Sequence, residues 1–232
     1  MKNYVLHRRT RKTVLLCRTD SKNFNLIDME TEIYKGIEIK IQTDDCPLNP
    51  RTDWDNAGVM FCKHGRYDLG DSNHGIDDSD CQSWEDVKDL IIKEKKPLVI
   101  LPLYLYDHSG ITMNTTGFSC RWDSGQVGWI YLTKKGCKEM GWTKPYINSL
   151  SKGANDKYCG KLFEEILEMF LVGEVESYDD YISGNVYGYV IESDLVEDSC
   201  FGFFGDDHEK SGLLLEARAN IDAALSSSTK SA

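Results

Sequence analysis

Ile37, Ile39 and Ile41 alternate with polar residues through the run Ile33–Gln42, the period of two expected of a half-buried strand. The run stops at Asp44-Asp45-Cys46-Pro47, a turn cluster. Ala57–Cys62 reads as one short apolar strand. The period then changes. Val87, Leu90 and Ile91 recur at helical spacing behind Ser83-Trp84-Glu85-Asp86, a helix-start pattern, and Lys93, Lys95 and Lys96 before Pro97 suit a helix C-terminus. Leu98–Tyr106 is apolar on both faces, which predicts a strand inside a sheet, with a bulge or unpaired position at Pro102. Val127–Leu132 predicts another strand and Thr133–Gly141 a short helix. Cys159, Phe163, Ile166 and Phe170 share one face of a helix introduced by Gly153–Asn155 and ended by Gly173. A helical turn from Ser177 to Gly184, a strand over Asn185–Glu192 and a strand pair within Leu195–Gly205 follow. Asp206 and Glu209 mark a helix start, ahead of an apolar stripe at Leu214, Ala217, Ile221 and Leu225. At the other end, Tyr4–Arg9 and Thr13–Arg18 read as two strands, with Arg8, Arg9, Arg11 and Lys12 in the turn between them. The pattern as a whole predicts an α+β fold: a single domain over residues 1–225, a mostly antiparallel sheet of about six or seven strands, about three longer helices packed on it, and a disordered tail at 226–232.

Two polar stretches interrupt this pattern and hold the candidate chemistry. The loop between the strands at Leu98–Tyr106 and Val127–Leu132 carries Asp107, His108, Cys120 and Asp123, candidate catalytic residues. His108 beside a carboxylate could serve as a general base, and Cys120 as a nucleophile if the loop folds back on it. Adjacent residues of an extended strand point to opposite faces, however, so Asp107 need not be the carboxylate that His108 meets. Trp122-Asp123-Ser124-Gly125 is turn chemistry, with Trp122 read as a core anchor.

The stretch 53–81 is a loop dense in Asp, Asn and His, and Trp54, Phe61 and Tyr67 predict that it is ordered and packs down. Cys62, His64, His74 and Cys81 are zinc-competent, although their spacing lacks the paired short intervals of structural zinc sites. Asp53, Asp55, Asn56, Asp68, Asp71, Asn73, Asp77, Asp78 and Asp80 offer oxygen ligands to a divalent cation without forming an EF-hand loop. Leaving Trp54, Phe61, Tyr67 and Trp122 on separate loops would expose too much apolar area, so the two stretches are expected to pack together, with His64 or Arg66 approaching Asp107 or Asp123. Walker, dinucleotide-fold, nucleophile-elbow and HExxH motifs are all missing, which removes the usual support for ATP-driven, nicotinamide-dependent and serine-hydrolase activities.

Composition changes the picture in two ways. Net charge is −11, and residues 174–209 hold eleven Asp and Glu with no Lys or Arg. Phosphate binding needs cations, so this third argues against direct nucleic-acid binding by itself. It suits a basic protein partner instead, with Glu174, Glu176, Asp179, Asp180, Asp206 and Asp207 as candidate contacts. Eight cysteines show no compact framework, and no secretory or membrane-spanning run is evident, so free and mostly buried thiols in a cytoplasmic protein are expected.

The strings NPRTDWDNAGVMFCKHGRYDLGD and LPLYLYDHSGITMNTTGFSCRWDSGQVGWIY, with EVESYDDYISGNVYGYVIE and SCFGFFGDD, cover about a third of the chain. They resemble segments of a protein family encoded by bacteriophages and other mobile elements, to which no activity is attached. The resemblance implies an accessory protein acting in the cytoplasm of a bacterial host cell. Two functions follow as expectations: binding of a host protein, host defence included, through the acidic surface, or a small hydrolase with a Cys/His/Asp or metal-dependent site on the 53–81 and 107–124 loops.

Overall fold

The computed structural model describes residues 30–153 and 157–228. The expected strands at Tyr4–Arg9 and Thr13–Arg18, with Cys17, lie outside these residues, as do positions 229–232 of the expected tail. In chain order the elements are β1 (Glu30–Tyr34), β2 (Ile37–Thr43), β3 (Gly58–Cys62), α1 (Trp84–Lys95), β4 (Val99–Asp107), β5 (Ile111–Asn114), β6 (Ser124–Leu132), α2 (Lys134–Glu139), α3 (Lys144–Lys152), α4 (Phe163–Ile182), β7 (Val186–Glu192), β8 (Glu197–Phe204) and α5 (Leu213–Ser228). The fold class is α+β, with two four-stranded antiparallel sheets. The described residues group into two compact units, one within 49–183 and one made of 30–48 with 184–228.

In the 49–183 unit the strand order is β3-β6-β4-β5. Both faces of this sheet are covered, which is why β4 and β6 read as continuous apolar runs. On one face Ile166, Leu167, Leu171, Val175 and Tyr178 of α4 pack with Met60, Leu103, Ile130 and Leu132. On the other, Val87 and Ile91 of α1 pack with Phe61, Trp129 and Tyr131. Ser83 caps α1 and Asp86 reaches back to complete the capping box, as the sequence pattern predicts. The Pro102 expectation also holds in kind: the β4–β6 register shifts nearby, between Leu103 and Tyr104.

The other unit is one sheet, β1-β2-β7-β8, with α5 on it. Ile37, Ile39 and Ile41 face Tyr189, Ile191, Leu213, Ala217 and Ile221. The stretch Ile33–Gln42 is a hairpin rather than one strand, because Lys35 and Gly36 take φ of 52° and 80° in its two-residue turn. Arg218 binds Glu32 through Nε and Nη2, at 2.8 and 3.0 Å, tying α5 to β1.

Three helical expectations shift. Helix α4 begins at Phe163 and not before Cys159, which sits in an exposed turn ahead of Gly160 at φ 73°. It continues through Gly173, which faces open space, and takes in Ser177-Tyr178-Asp179-Asp180. Helix α5 reaches Ser228, so 226–228 are helical where a tail was expected.

Candidate functional site

Two constellations in the 49–183 unit draw on the polar stretches, and they differ in kind. The first is buried. The Arg51 side chain is 1% exposed and its guanidinium meets Asp71 twice, Nε to Oδ1 at 2.8 Å and Nη2 to Oδ2 at 2.7 Å. Its Nη1 donates to Glu174 Oε2 at 2.9 Å and Nη2 also donates to the Gly58 carbonyl at 2.7 Å. The remaining acceptor positions are used as well. Asp71 accepts from the Met60 N–H at 2.8 Å, and Glu174 accepts from the Ala57 and Gly58 N–H groups at 2.9 and 3.1 Å. Burial opposes the charge on Arg51, but Asp71 and Glu174 outweigh it and hold the guanidinium above its ordinary value. Burial pushes the Glu174 carboxyl up, against the pull of Arg51 and the two backbone donors. With every partner engaged, this triad holds the 49–71 loop to α4. Tyr178 adds to the hold by accepting from the Gly70 N–H at 3.0 Å.

The second constellation is open to solvent and lies at the β4–β5 hairpin. The loop His108-Ser109-Gly110 joins the strands, with Ser109 at φ 58° and the His108 N–H donating to the Gly110 carbonyl at 3.0 Å. Asp107 and His108 point to opposite sides, as strand alternation requires. Asp107 is held by Arg66, and Tyr67 donates to its Oδ1 at 3.2 Å. His64 stacks on Tyr67, with ring centroids 5.1 Å apart. His108 instead meets Asp123, Nδ1 to Oδ2 at 3.5 Å. Cys120 Sγ lies 3.5 Å from the same Oδ2. The Asp107 N–H donates to the Asp123 carbonyl at 2.8 Å, so the hairpin and the 120–124 turn are joined through the backbone as well. From below, Asp179 accepts from the Met113 N–H at 2.7 Å and Ser183 Oγ donates to the Ile111 carbonyl at 2.8 Å, which fixes β5 to the end of α4.

The expected approach of the 53–81 loop to the central loop is therefore present, made by Arg66 and Tyr67 to Asp107. Cys120 and His108 converge on one carboxylate oxygen, Asp123 Oδ2. Trp122 is 95% exposed and not a core anchor.

The metal readings are also corrected. Among the described residues no three His, Cys, Asp or Glu side chains stand together as a ligand set. His74 packs edge-on against Phe61 and its Nδ1 accepts from the Ile76 N–H, while His64 Nδ1 accepts from the Arg66 N–H. Asp71 is committed to Arg51, and Asp78 pairs with Lys63 at 2.6 Å.

The acidic candidates divide. Glu174 sits in the buried triad, Asp179 bonds the backbone of β5, and Asp207 pairs with Lys210 at 2.5 Å. Glu176 and Asp206 are exposed. Nothing in the spacing 51, 71, 174 announces the triad; its one sequence signal is an Arg inside a loop full of aromatics and carboxylates.

The cysteines are free among the described residues, but Cys137 alone of them is fully buried. Burial pushes the Cys62 thiol up to about 12, which leaves almost no thiolate at pH 8. Alkylation of native protein at pH 8 is expected to label the exposed Cys46 and Cys159 first and to leave Cys62 and Cys137 for the denatured state. Mass spectrometry of timed digests checks the order.

Comparison with known proteins adds no likeness: no family model, curated protein or solved structure matches the chain. No helix among the described residues is long and apolar enough to cross a membrane.

Proposed function

We propose that the protein is a small hydrolase whose site is the His108–Asp123 pair at the β4–β5 hairpin. The observation that carries this reading is the convergence of three loops, 64–67, 107–110 and 120–124, on solvent-facing acid–base side chains. Asp123, 3.5 Å from Nδ1, leaves Nε2 of His108 as the working nitrogen, and the imidazole is 63% exposed. In the proposed step Nε2 takes a proton from water as the water oxygen bonds to the electrophilic carbon or phosphorus. The bond to the leaving group breaks, and the leaving group receives that proton from the imidazolium. Cys120 holds Asp123 in place. Arg66, 69% exposed while still bonded to Asp107, can meet a negative group on the substrate.

The acidic-surface reading, in which a phage-type accessory protein meets a basic host protein, has less support, because Glu174, Asp179 and Asp207 are used within their own units.

The test is a panel of activated carboxyl esters, phosphodiesters and peptide amides, run with the wild type and with His108→Gln and Asp123→Asn. Turnover of at least one class is expected, with kcat lowered roughly 10²–10⁴-fold in His108→Gln, the range that loss of a general base produces. Turnover equal in all three proteins, or absent from the wild type, overturns the proposal.

A further inference from the structure

At the far end of β6 from Asp123, the surface changes sign. Residues 133–162 contain seven lysines (134, 135, 138, 144, 152, 157 and 161) against two carboxylates, Glu139 and Asp156, in a chain whose net charge is −11. Along α3 and the turn after it the fold gathers Lys144, Lys152 and Lys161. Thr133 caps α2 and Thr143 caps α3. Ile147 anchors α3 in the core, so Lys144, Asn148 and Lys152 share an exposed stripe on its outer side. The turn after α3 folds back on it: the Gly160 N–H donates to the Ser151 carbonyl at 3.0 Å and Ser151 Oγ to the Lys161 carbonyl at 2.7 Å, which sets Lys161 beside the end that bears Lys152. Lys144, Pro145, Asn148, Ser149 and Lys152 line a shallow depression of about 560 Å³.

Most of this charge is uncompensated. Lys135 pairs with Glu139 at 3.6 Å, but Lys134, Lys138, Lys144, Lys152 and Lys161 form no ion pair with a described residue. Two exposed acids, Glu164 and Glu165, follow at the start of α4, and Glu165 accepts from the Leu162 N–H at 2.6 Å. Tyr146 is exposed on the same helix.

We infer that the face made by α3 and the 157–161 turn binds the backbone of a single-stranded nucleic acid. A run of ammonium groups without counter-charges is matched by a run of phosphates, which release their own counterions on binding. Tyr146, exposed on the same helix, offers a base a surface to stack on, and single strands present free base faces where duplexes do not. Acidic groups further away than the Debye length of about 8 Å at physiological salt contribute little to this local field. The inference stands independently of the hydrolase reading, because no residue is shared.

The experiment is fluorescence anisotropy of a labelled oligothymidylate titrated with the full chain from 50 to 200 mM NaCl. Saturable binding is expected, with log affinity falling against log salt at a slope of about −0.7 per phosphate contacted. Lys144→Gln/Lys152→Gln is expected to weaken binding about tenfold or more at 50 mM and to flatten the slope by about 1.4, the share of two contacts. Tyr146→Ala should weaken binding about fivefold or more and leave the slope unchanged, since stacking is uncharged. Lys93→Gln/Lys96→Gln on and after α1 is the control and should change nothing, with circular dichroism confirming that every variant folds. No saturable binding at 50 mM overturns the inference, as does an equal effect of the control pair. Binding of anionic lipid vesicles that depends on Lys144 and Lys152, without binding of the oligonucleotide, overturns it in favour of a membrane surface.

Discussion

Arg51→Met is expected to cost about 3–5 kcal/mol, the usual penalty for stripping one partner from a buried ion group. At about 2–4 °C per kcal/mol for chains of this size, the melting temperature should fall by roughly 6–20 °C. The reason is geometric. Asp71 and Glu174 lie under the 49–71 loop, and methionine would leave both carboxylates facing each other without a cation. The loss should depend on pH with a definite sign. Burial already pushes Glu174 above its ordinary 4.5, and removing Arg51 takes away the main group pulling it down. A carboxyl raised in the folded state contributes stability that is present in full below the unfolded value and is lost as pH rises through the folded value. The deficit of the variant should therefore be largest near pH 7–8 and shrink as pH falls toward 4.5. Arg66→Ala provides the contrast. Arg66 also pairs with an aspartate, but its side chain is 69% exposed, and such pairs contribute about 0–1 kcal/mol. Thermal melts of both variants across pH check the pair; equal losses would mean that the triad does not hold the loop.

Gly128→Ala is expected to be comparably damaging, by about 3 kcal/mol or more. A Cβ at this position would stand 1.9 Å from the Phe61 carbonyl oxygen and 3.0 Å from Cys62 Cα. These are backbone atoms of β3, paired with β6 at Phe61–Trp129 and Cys62–Gly128, so they cannot yield without opening the ladder. Gly125 lies on the same strand with nothing within 4 Å of its Cβ position, and Gly125→Ala should change stability by about 0.5 kcal/mol or less. Chemical denaturation of the two variants reads the difference directly.

What the sequence made legible, and what it did not, follows from the range of the interactions involved. Helix α1 was readable because its signals are local: Ser83 and Asp86 three residues apart, lysines in the last turn, Pro97 beyond. Strands β4 and β6 were readable because a strand covered on both faces is apolar throughout. Helix α3 was missed. It is nine residues long and only Ile147 is buried, so its periodicity is weak, although Thr143 and Pro145 mark its start. Gly173 misled in the other direction, since a glycine facing open space inside a long, well-packed helix costs only about 1 kcal/mol and need not end it. At the site, strand alternation separated Asp107 from His108, but the partner that His108 found, Asp123, comes from a different loop. The acidic third showed the same limit. Eleven carboxylates in a row of sequence look like one surface, while folding sends Glu174 into the core and Asp179 to the β5 backbone.

The central claim is that the working surface of this protein is the junction of the 64–67, 107–110 and 120–124 loops. Amide chemical-shift mapping by NMR tests it without knowledge of the substrate. Uniformly ¹⁵N-labelled protein would be titrated with small esters, amides and phosphate esters as probes. The account predicts that the bound members shift amides at Arg66, Asp107, His108, Trp122 and Asp123 together, and that these shifts are lost in His108→Gln/Asp123→Asn. Probes that shift only residues elsewhere, or that bind the double variant as well as the wild type, would contradict it.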